Sequence, residues 1–349
     1  MCYAFPTRWE VPLSDTRKTW LIRAAAAIAL AAMASCLALP ASADEAKLGV
    51  WNLLVENDLF YGTDRNYTSG VALAWVSGEK SPPDWAVRIA RGIPWFPEGG
   101  TVRHGYVVGQ NMYTPADISL PDPPRDDRPY AGWLYATIGL GVVTDDRTDQ
   151  LSLTAGVVGP AALAEQSQKF IHGLTGSQDP KGWNTQLRNE PGLMLTYETR
   201  WRDFARGELA GLEFDVVPHL GAALGNVSTY ANGGFTLRYG KRLTSDLGPP
   251  RIRPSPPGSG FFVPADTFSW YLFAAVDGRA VARSIFLDGN TFKESRSVDK
   301  EYLVGDLQWG LEMTWRGVRL SYTHVRRTRE FRTQGRSSEF GAFGVSVAF

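Results

Sequence analysis

At the end of the chain, Phe343, Val345, Val347 and Phe349 alternate with Gly344, Ser346 and Ala348. A period of two sends the large apolar side chains to one face of a strand and the small ones to the other. Upstream the same alternation carries charge on its second face. Leu303, Leu307, Trp309, Leu311, Met313 and Trp315 alternate with Val304, Asp306, Gln308, Gly310, Glu312 and Thr314. Leu193, Leu195, Tyr197 and Trp201 do so with Thr196, Glu198 and Arg200, and shorter runs sit at Val71–Leu73–Trp75, Leu151–Leu153–Ala155–Val157 and Phe235–Leu237–Tyr239. Charges on the inner face are too costly for a packed soluble core but suit a wet lumen ringed by lipid-facing side chains. The pattern predicts an all-β, antiparallel transmembrane β-barrel, with a soluble β-sandwich as the second architecture. A final strand that stops on Phe349 is the signal by which outer-membrane assembly machinery recognises its clients.

The N-terminus agrees with export. Arg17, Lys18 and Arg23 precede an Ala/Leu-rich run from Ala24 to Leu39, and Ala41-Ser42-Ala43 supplies a small-x-small cleavage site. Residues 1–43 therefore read as a Sec-type signal peptide and 44–349 as one barrel domain. A lipoprotein reading at Cys36 fits less well, because apolar Leu37, Ala38 and Leu39 follow it. Both cysteines, Cys2 and Cys36, fall in the presequence, so the exported part has no thiol chemistry. Cleavage takes off Arg8, Arg17, Lys18 and Arg23 with Glu10 and Asp15; from a formal net charge of zero this leaves −2. Nothing in that balance points to nucleic acid.

Strands are expected near 48–56, 67–76, 104–113, 132–142, 150–158, 192–202, 211–221, 233–240, 267–285, 302–315, 318–326 and 338–349. Asp277-Gly278 resembles a hairpin turn within 267–285. Splitting there would give an odd count, whereas bacterial single-chain barrels have even ones, so the segment is read as one long bulged strand and the barrel as 12-stranded. With both termini periplasmic, 57–66, 114–131, 159–191, 222–232, 286–301 and 327–337 face outside. Of the periplasmic connections, 77–103 and the Pro-rich 241–266 are long.

Polar chemistry gathers at the outer ends. The first hairpin holds Glu56, Asp58 and Asp64 with Asn57, Thr63, Thr68 and Ser69, hard oxygen donors suited to Ca²⁺ rather than zinc. On composition alone this is a polar rim, or one bridged to lipopolysaccharide by divalent ions. In the loop after the fifth strand, Ala161 to Ile171 reads as a short helix ended by Gly173, Gly176 and Pro180. Gln168 and His172, at i and i+4, share one of its faces. A histidine there is available as a general base, with Gln178, Trp183, Gln186 and Glu190 as groups to orient it. His104, His219 and His324 lie on strands and read as structural.

Several segments together are similar to one family. They are Glu56-Asn57-Asp58, Thr63-Asp64-Arg65-Asn66-Tyr67-Thr68-Ser69-Gly70, Gly109-Gln110-Asn111-Met112-Tyr113-Thr114-Pro115, Asp127-Arg128-Pro129-Tyr130-Ala131-Gly132-Trp133, Gly182-Trp183-Asn184-Thr185-Gln186-Leu187 and Phe286-Leu287-Asp288-Gly289-Asn290-Thr291. As an ordered set they resemble the LpxR-type outer-membrane lipid A 3′-O-deacylases. The resemblance implies a 12-stranded barrel that hydrolyses the 3′-linked acyloxyacyl ester of lipid A with a divalent cation, Ca²⁺. It places the family's Asn-Asp pair on Asn57 and Asp58, as catalytic residues and cation ligands, and its loop histidine on His172 as general base. Thr68 and Ser69 across the hairpin, and Gln168 on the helix, are supporting residues. Where the family has an acidic residue after the histidine, this chain has Gln178 rather than a carboxylate; either Asp179 or Glu190 substitutes, or activity is reduced.

Two other functions remain. A non-catalytic barrel, pore or structural, would bind lipopolysaccharide through cations, with Arg200, Arg238, Asp306 and Glu312 lining or plugging the lumen. A Ser-His-Asn phospholipase would need a serine beside a strand histidine, an arrangement not evident around His104 or His219.

Overall fold

The computed structural model describes residues 49–58, 66–78, 82–202, 204–243 and 267–348. The predicted signal peptide, Thr63 and Asp64 of the first hairpin, most of the 241–266 connection and Phe349 lie outside the described residues.

The strands are β1 (Gly49–Asn57), β2 (Asn66–Ser77), β3 (Thr101–Thr114), β4 (Ala131–Val143), β5 (Arg147–Val158), β6 (Glu190–Trp201) and β7 (Ala205–Leu209). They continue as β8 (Leu212–Gly225), β9 (Ser228–Lys241), β10 (Ser269–Ser284), β11 (Leu303–Trp315), β12 (Val318–Arg327) and β13 (Ser338–Ala348). Every pairing is antiparallel, β1 pairs with β13, and β6 pairs with β8, which closes the ring. Thirteen segments make twelve wall strands, because β6 and β7 both run along β8. Between Arg200↔His219 and Ala205↔Val216 the β6–β7 side advances five residues and β8 three, so the register slips by two and β7 extends β6 along β8.

The expected alternation holds around the ring. Trp51, Leu53, Val71, Leu73, Val108, Leu153, Leu195, Leu237, Leu272, Leu307 and Trp309 are exposed on the outer wall. Asn52, Gln150, Thr154, Glu198, Arg200, Asp215, Arg238, Asp277, Asp306, Glu312 and Arg319 are buried on the lumen side. No described helix is long and apolar enough to cross a membrane; the strands do the crossing.

The segment expected as one long bulged strand is one strand, β10, while two other boundaries depart from expectation. Asp277-Gly278 is mid-strand, paired to Gly233 and Gly305 on either side, with a register shift at Val281/Arg283. The outer connection expected at 222–232 shrinks to Asn226-Val227, because β8 and β9 run further than their small residues reveal. The periplasmic connection after β2 contains a helix, α1 (Asp84–Gly92), whose Ala86 and Ala90 pack with Phe96, Leu140 and Val142.

The lumen charges pair. Arg200 binds Glu198 at 2.7 Å, Arg238 Nε binds Asp215 at 2.8 Å and His219 meets Asp277 at 2.8 Å. Near the outer mouth Asp306 takes Arg327 at 2.8 Å and Arg279 at 2.9 Å, while Glu330 takes Arg128 at 2.7 Å. Burial alone would raise the Glu330 carboxyl, but Arg128, Arg327 and Arg279 around it hold it below its ordinary range. Its contribution to the mouth is therefore present above the ordinary carboxylate pKa and lost as pH falls through the lowered one. Asp306→Ala removes the carboxylate shared by buried Arg327 and half-buried Arg279. It is expected to cost about 3–5 kcal/mol, read as a lower urea midpoint for loss of the heat-modifiable gel band; an unchanged midpoint would show that the mouth pairs add nothing.

Candidate active site

The connection from β5 to β6 begins with Gly159-Pro160 and a 3-10 turn (Pro160–Ala162), then forms α2 (Ala164–Thr175). The helix runs four residues beyond the expected Ile171. Gly173 does not stop it; Gly176 does, in the left-handed region at φ 67°, its N–H donating to the His172 carbonyl.

The helix sits on the outside of the barrel wall. On β4, Gly132 shares the outward parity of exposed Ala136 and Ile138, and a Cβ added there would fall 2.5 Å from the Ala164 Cβ. Glycine is what lets the helix close onto the strand. On β3, outward-facing Gln110 donates from Nε2 to the Ala162 carbonyl at 2.6 Å. Outward Met112 is buried in one cluster with Ala164, Ile118, Tyr130 and Trp183. The 115–130 loop braces the helix from above: Lys181 N–H donates to the Ile118 carbonyl, Leu187 N–H to that of Tyr130, and Tyr130 packs on the Trp183 ring.

Three side chains of α2 are buried, Ala164, Gln168 and His172. Their i, i+4, i+8 spacing makes a single stripe, and Ala164 shows that the stripe faces the wall. Trp183 Nε1 donates to Gln168 Oε1 at 2.7 Å. That bond fixes the amide's orientation and leaves Nε2, in a residue 1% exposed, with no hydrogen-bond partner among the described residues. His172 Nδ1 lies 2.5 Å from the Gln178 carbonyl. A carbonyl only accepts, so Nδ1 carries the proton and Nε2 holds the lone pair in the neutral ring.

The orienting group is thus the main chain of Gln178. Asp179 is exposed. Glu190, the other candidate, is engaged elsewhere: it receives Asn226 Nδ2, Asn290 Nδ2 and the Thr291 N–H at 3.1, 3.1 and 2.8 Å and fastens two outer loops. Of the remaining candidates, Trp183 reaches Gln168. The strand histidines have contacts of their own: His104 packs among Trp75, Trp85 and Tyr106, His219 meets Asp277, and His324 stacks on Trp309 at 4.0 Å.

Asn57 ends β1 on the outward parity of Trp51, Leu53 and Val55. It pairs with Ser69, Ser69 with Met112, and Met112 with Gly132. One row across the outer wall therefore joins Asn57 and Ser69 to the strand positions on which α2 rests. Ser69 Oγ donates to the Glu56 carbonyl at 3.0 Å, and the backbone of Thr68 falls at the register shift between Tyr67 and Ser69. Asp58 lies in a bend just past the ladder and is 1% exposed, with buried Glu56 two residues before it. Among the described residues no three His, Cys, Asp or Glu side chains form a metal cage.

Among solved structures, LpxR from Salmonella typhimurium superposes with a TM-score of 0.70 at 19% identity, covering 86% of this chain and 100% of that one. The β-domain of the Bordetella autotransporter BrkA gives 0.43 at 12% identity, covering 86% and 99%. No curated protein sequence matches the chain. The family model described as outer membrane protein LpxR matches residues 27–349, and the chain belongs to that family of outer-membrane β-barrels.

Proposed function

We propose that this barrel is a lipid A 3′-O-deacylase that hydrolyses the 3′-linked acyloxyacyl ester in the outer leaflet. One observation carries the reading: a buried histidine, its Nδ1 pinned by a main-chain carbonyl, is set on the lipid side of the barrel wall rather than in the lumen. A pore has no use for such a group there, whereas an esterase acting on a membrane lipid needs it there.

The helix geometry supports bringing His172 to the Asn57 row. His172 is eight residues along α2 from Ala164, about 12 Å at 1.5 Å per residue. That is about two and a half strand spacings of roughly 4.8 Å. Since α2 packs on β3 as well as β4, a run of that length across the wall would reach the row of Ser69 and Asn57.

In the reaction, neutral His172 Nε2 takes a proton from water as the water oxygen attacks the ester carbonyl. The carbonyl π pair moves onto oxygen, and Gln168 Nε2–H donates to that oxyanion. Collapse re-forms the carbonyl and breaks its bond to the sugar 3′-oxygen, which takes the proton from the His172 imidazolium. The products are the free acyloxyacyl acid and a 3′-hydroxyl.

The residues at the top of β1 fit a hard cation. The buried Asp58 carboxylate, next in sequence to the Asn57 amide, would hold Ca²⁺ rather than zinc, being a hard oxygen donor. When bound, the cation supplies Lewis-acid polarisation of the ester.

The test is to express the protein in a strain of known lipid A and follow the lipid by mass spectrometry. Loss of one acyloxyacyl unit that stops on chelation and returns with Ca²⁺ is expected. Unchanged lipid A together with porin-like current in planar bilayers would replace this reading with the pore. Gln168→Leu is expected to lower kcat by about 10²-fold with little change in KM; a change in KM alone would remove Gln168 from the oxyanion.

A further inference from the structure

Opposite its wall stripe, α2 carries large apolar side chains that touch no protein core. Phe170 is 66% exposed and Leu174 61%, and Leu163, just before the helix, is exposed as well. At about 100° per residue, Phe170 and Leu174 lie within roughly 40° of each other and about 140° around from the Ala164–Gln168–His172 stripe. The third side of the helix is polar: Glu165, Gln166 and Lys169, with Lys169 bonded to Glu165 at 2.7 Å. Three separate faces, one on protein, one apolar and one charged, are what a helix needs to lie at a membrane interface.

The wall beneath shows what covers the apolar face. Outward-facing Val108 is four residues down β3 from Met112, about 13 Å, and is exposed with Tyr106, Ile138 and Leu153 on the same side of the ring. These belong to the lipid-facing band of an outer-membrane barrel. The apolar face of α2 continues that band upward, while its polar face is free to meet headgroups.

We infer that α2 is seated in the outer leaflet, with Phe170 and Leu174 among lipid acyl chains and Glu165, Gln166 and Lys169 toward the headgroups. This helix is then an interfacial anchor as well as the carrier of His172. On that seating, lipid would reach the helix sideways, without leaving the leaflet. The seating itself is independent of the reaction; lateral delivery to His172 rests on the deacylase reading.

The chain's two cysteines, Cys2 and Cys36, both precede the predicted cleavage site, so single-cysteine labelling of the exported protein is clean. Gln166→Cys, Phe170→Cys and Leu174→Cys would each carry an environment-sensitive fluorophore in vesicles of phosphatidylethanolamine and lipid A, with doxyl-labelled phosphatidylcholine as quencher. Labels at 170 and 174 are expected to shift to the blue and be quenched by the doxyl lipid, and the label at 166 to be quenched by aqueous iodide. Equal iodide quenching at all three positions overturns the proposal. As a second reading, Phe170→Ser with Leu174→Ser is expected to raise KM for membrane-embedded lipid A roughly tenfold at unchanged kcat; an unchanged KM overturns lateral delivery. Should the labels report acyl-chain burial while wild-type protein leaves lipid A intact, the deacylase reading fails and the seating of the helix stands.

Discussion

His172→Asn is expected to lower the rate of lipid A deacylation by about 10²–10⁴-fold, the range of a positioned general base, while the barrel folds as before. Asparagine is the informative substitute because its amide N–H can still donate to the Gln178 carbonyl, so the 159–189 loop keeps the contact that His172 Nδ1 now makes at 2.5 Å. What it lacks is a nitrogen able to take a proton in the position of Nε2. The barrel is insulated from the change, since its twelve wall strands are held by their own ladders and its lumen by its own ion pairs. Two measurements follow: the mass-resolved time course of lipid A, and the heat-modifiable gel mobility of the purified protein. Normal mobility with a residual rate that no longer follows the wild-type pH profile is the expected pair. A rate within twofold of wild type would remove His172 from the chemistry and leave the cation and Gln168 to carry it.

The strands were legible because lipid on one side and a wet lumen on the other impose a period of two that few other environments tolerate. Where both faces accept small residues the signal fades. Ala222, Ala223, Gly225, Ala231 and Gly233 concealed the upper ends of β8 and β9 and made a two-residue turn look like a long outer loop. The nine residues of α1 fall within the expected 77–103 connection; they set Trp85, Ala86 and Ala90 against a wall that sequence cannot see. At the site, the side chains Gln168 and His172 were readable from their spacing. Their partners were less so: Gln178, Asp179 and Glu190 all stand as groups to orient His172, and a main-chain carbonyl has no letter of its own to single out Gln178. Glu190 instead ties Asn226, Asn290 and Thr291. The side of the wall that bears the site was implicit in the parity of Asn57 with Trp51, Leu53 and Val55. It became decisive only when Gly132 located the helix.

Gly132→Val should separate α2 from the barrel without harming the barrel. A Cβ at 132 falls 2.5 Å from the Ala164 Cβ and 3.1 Å from the Ala162 Cβ. Neither alanine has a rotamer to retreat into, and the Ala162 carbonyl is also held by Gln110. The strain therefore has to be relieved by moving α2 away from β4, which carries Gln168 and His172 with it. A displacement of about 1 Å at reacting groups costs roughly 10²-fold in rate, and Gly132→Ala should fall between that variant and wild type. The strand itself has no reason to object, since β-branched side chains suit a pleated wall, so gel mobility and urea midpoint should hold. Coupling gives the sharper reading: Ala164→Gly removes the opposing methyl, and in the double variant it should recover much of the lost rate although Ala164→Gly alone gains nothing. Full activity in Gly132→Val, or a double variant no better than the single, would mean that α2 reaches its working position without resting on this glycine.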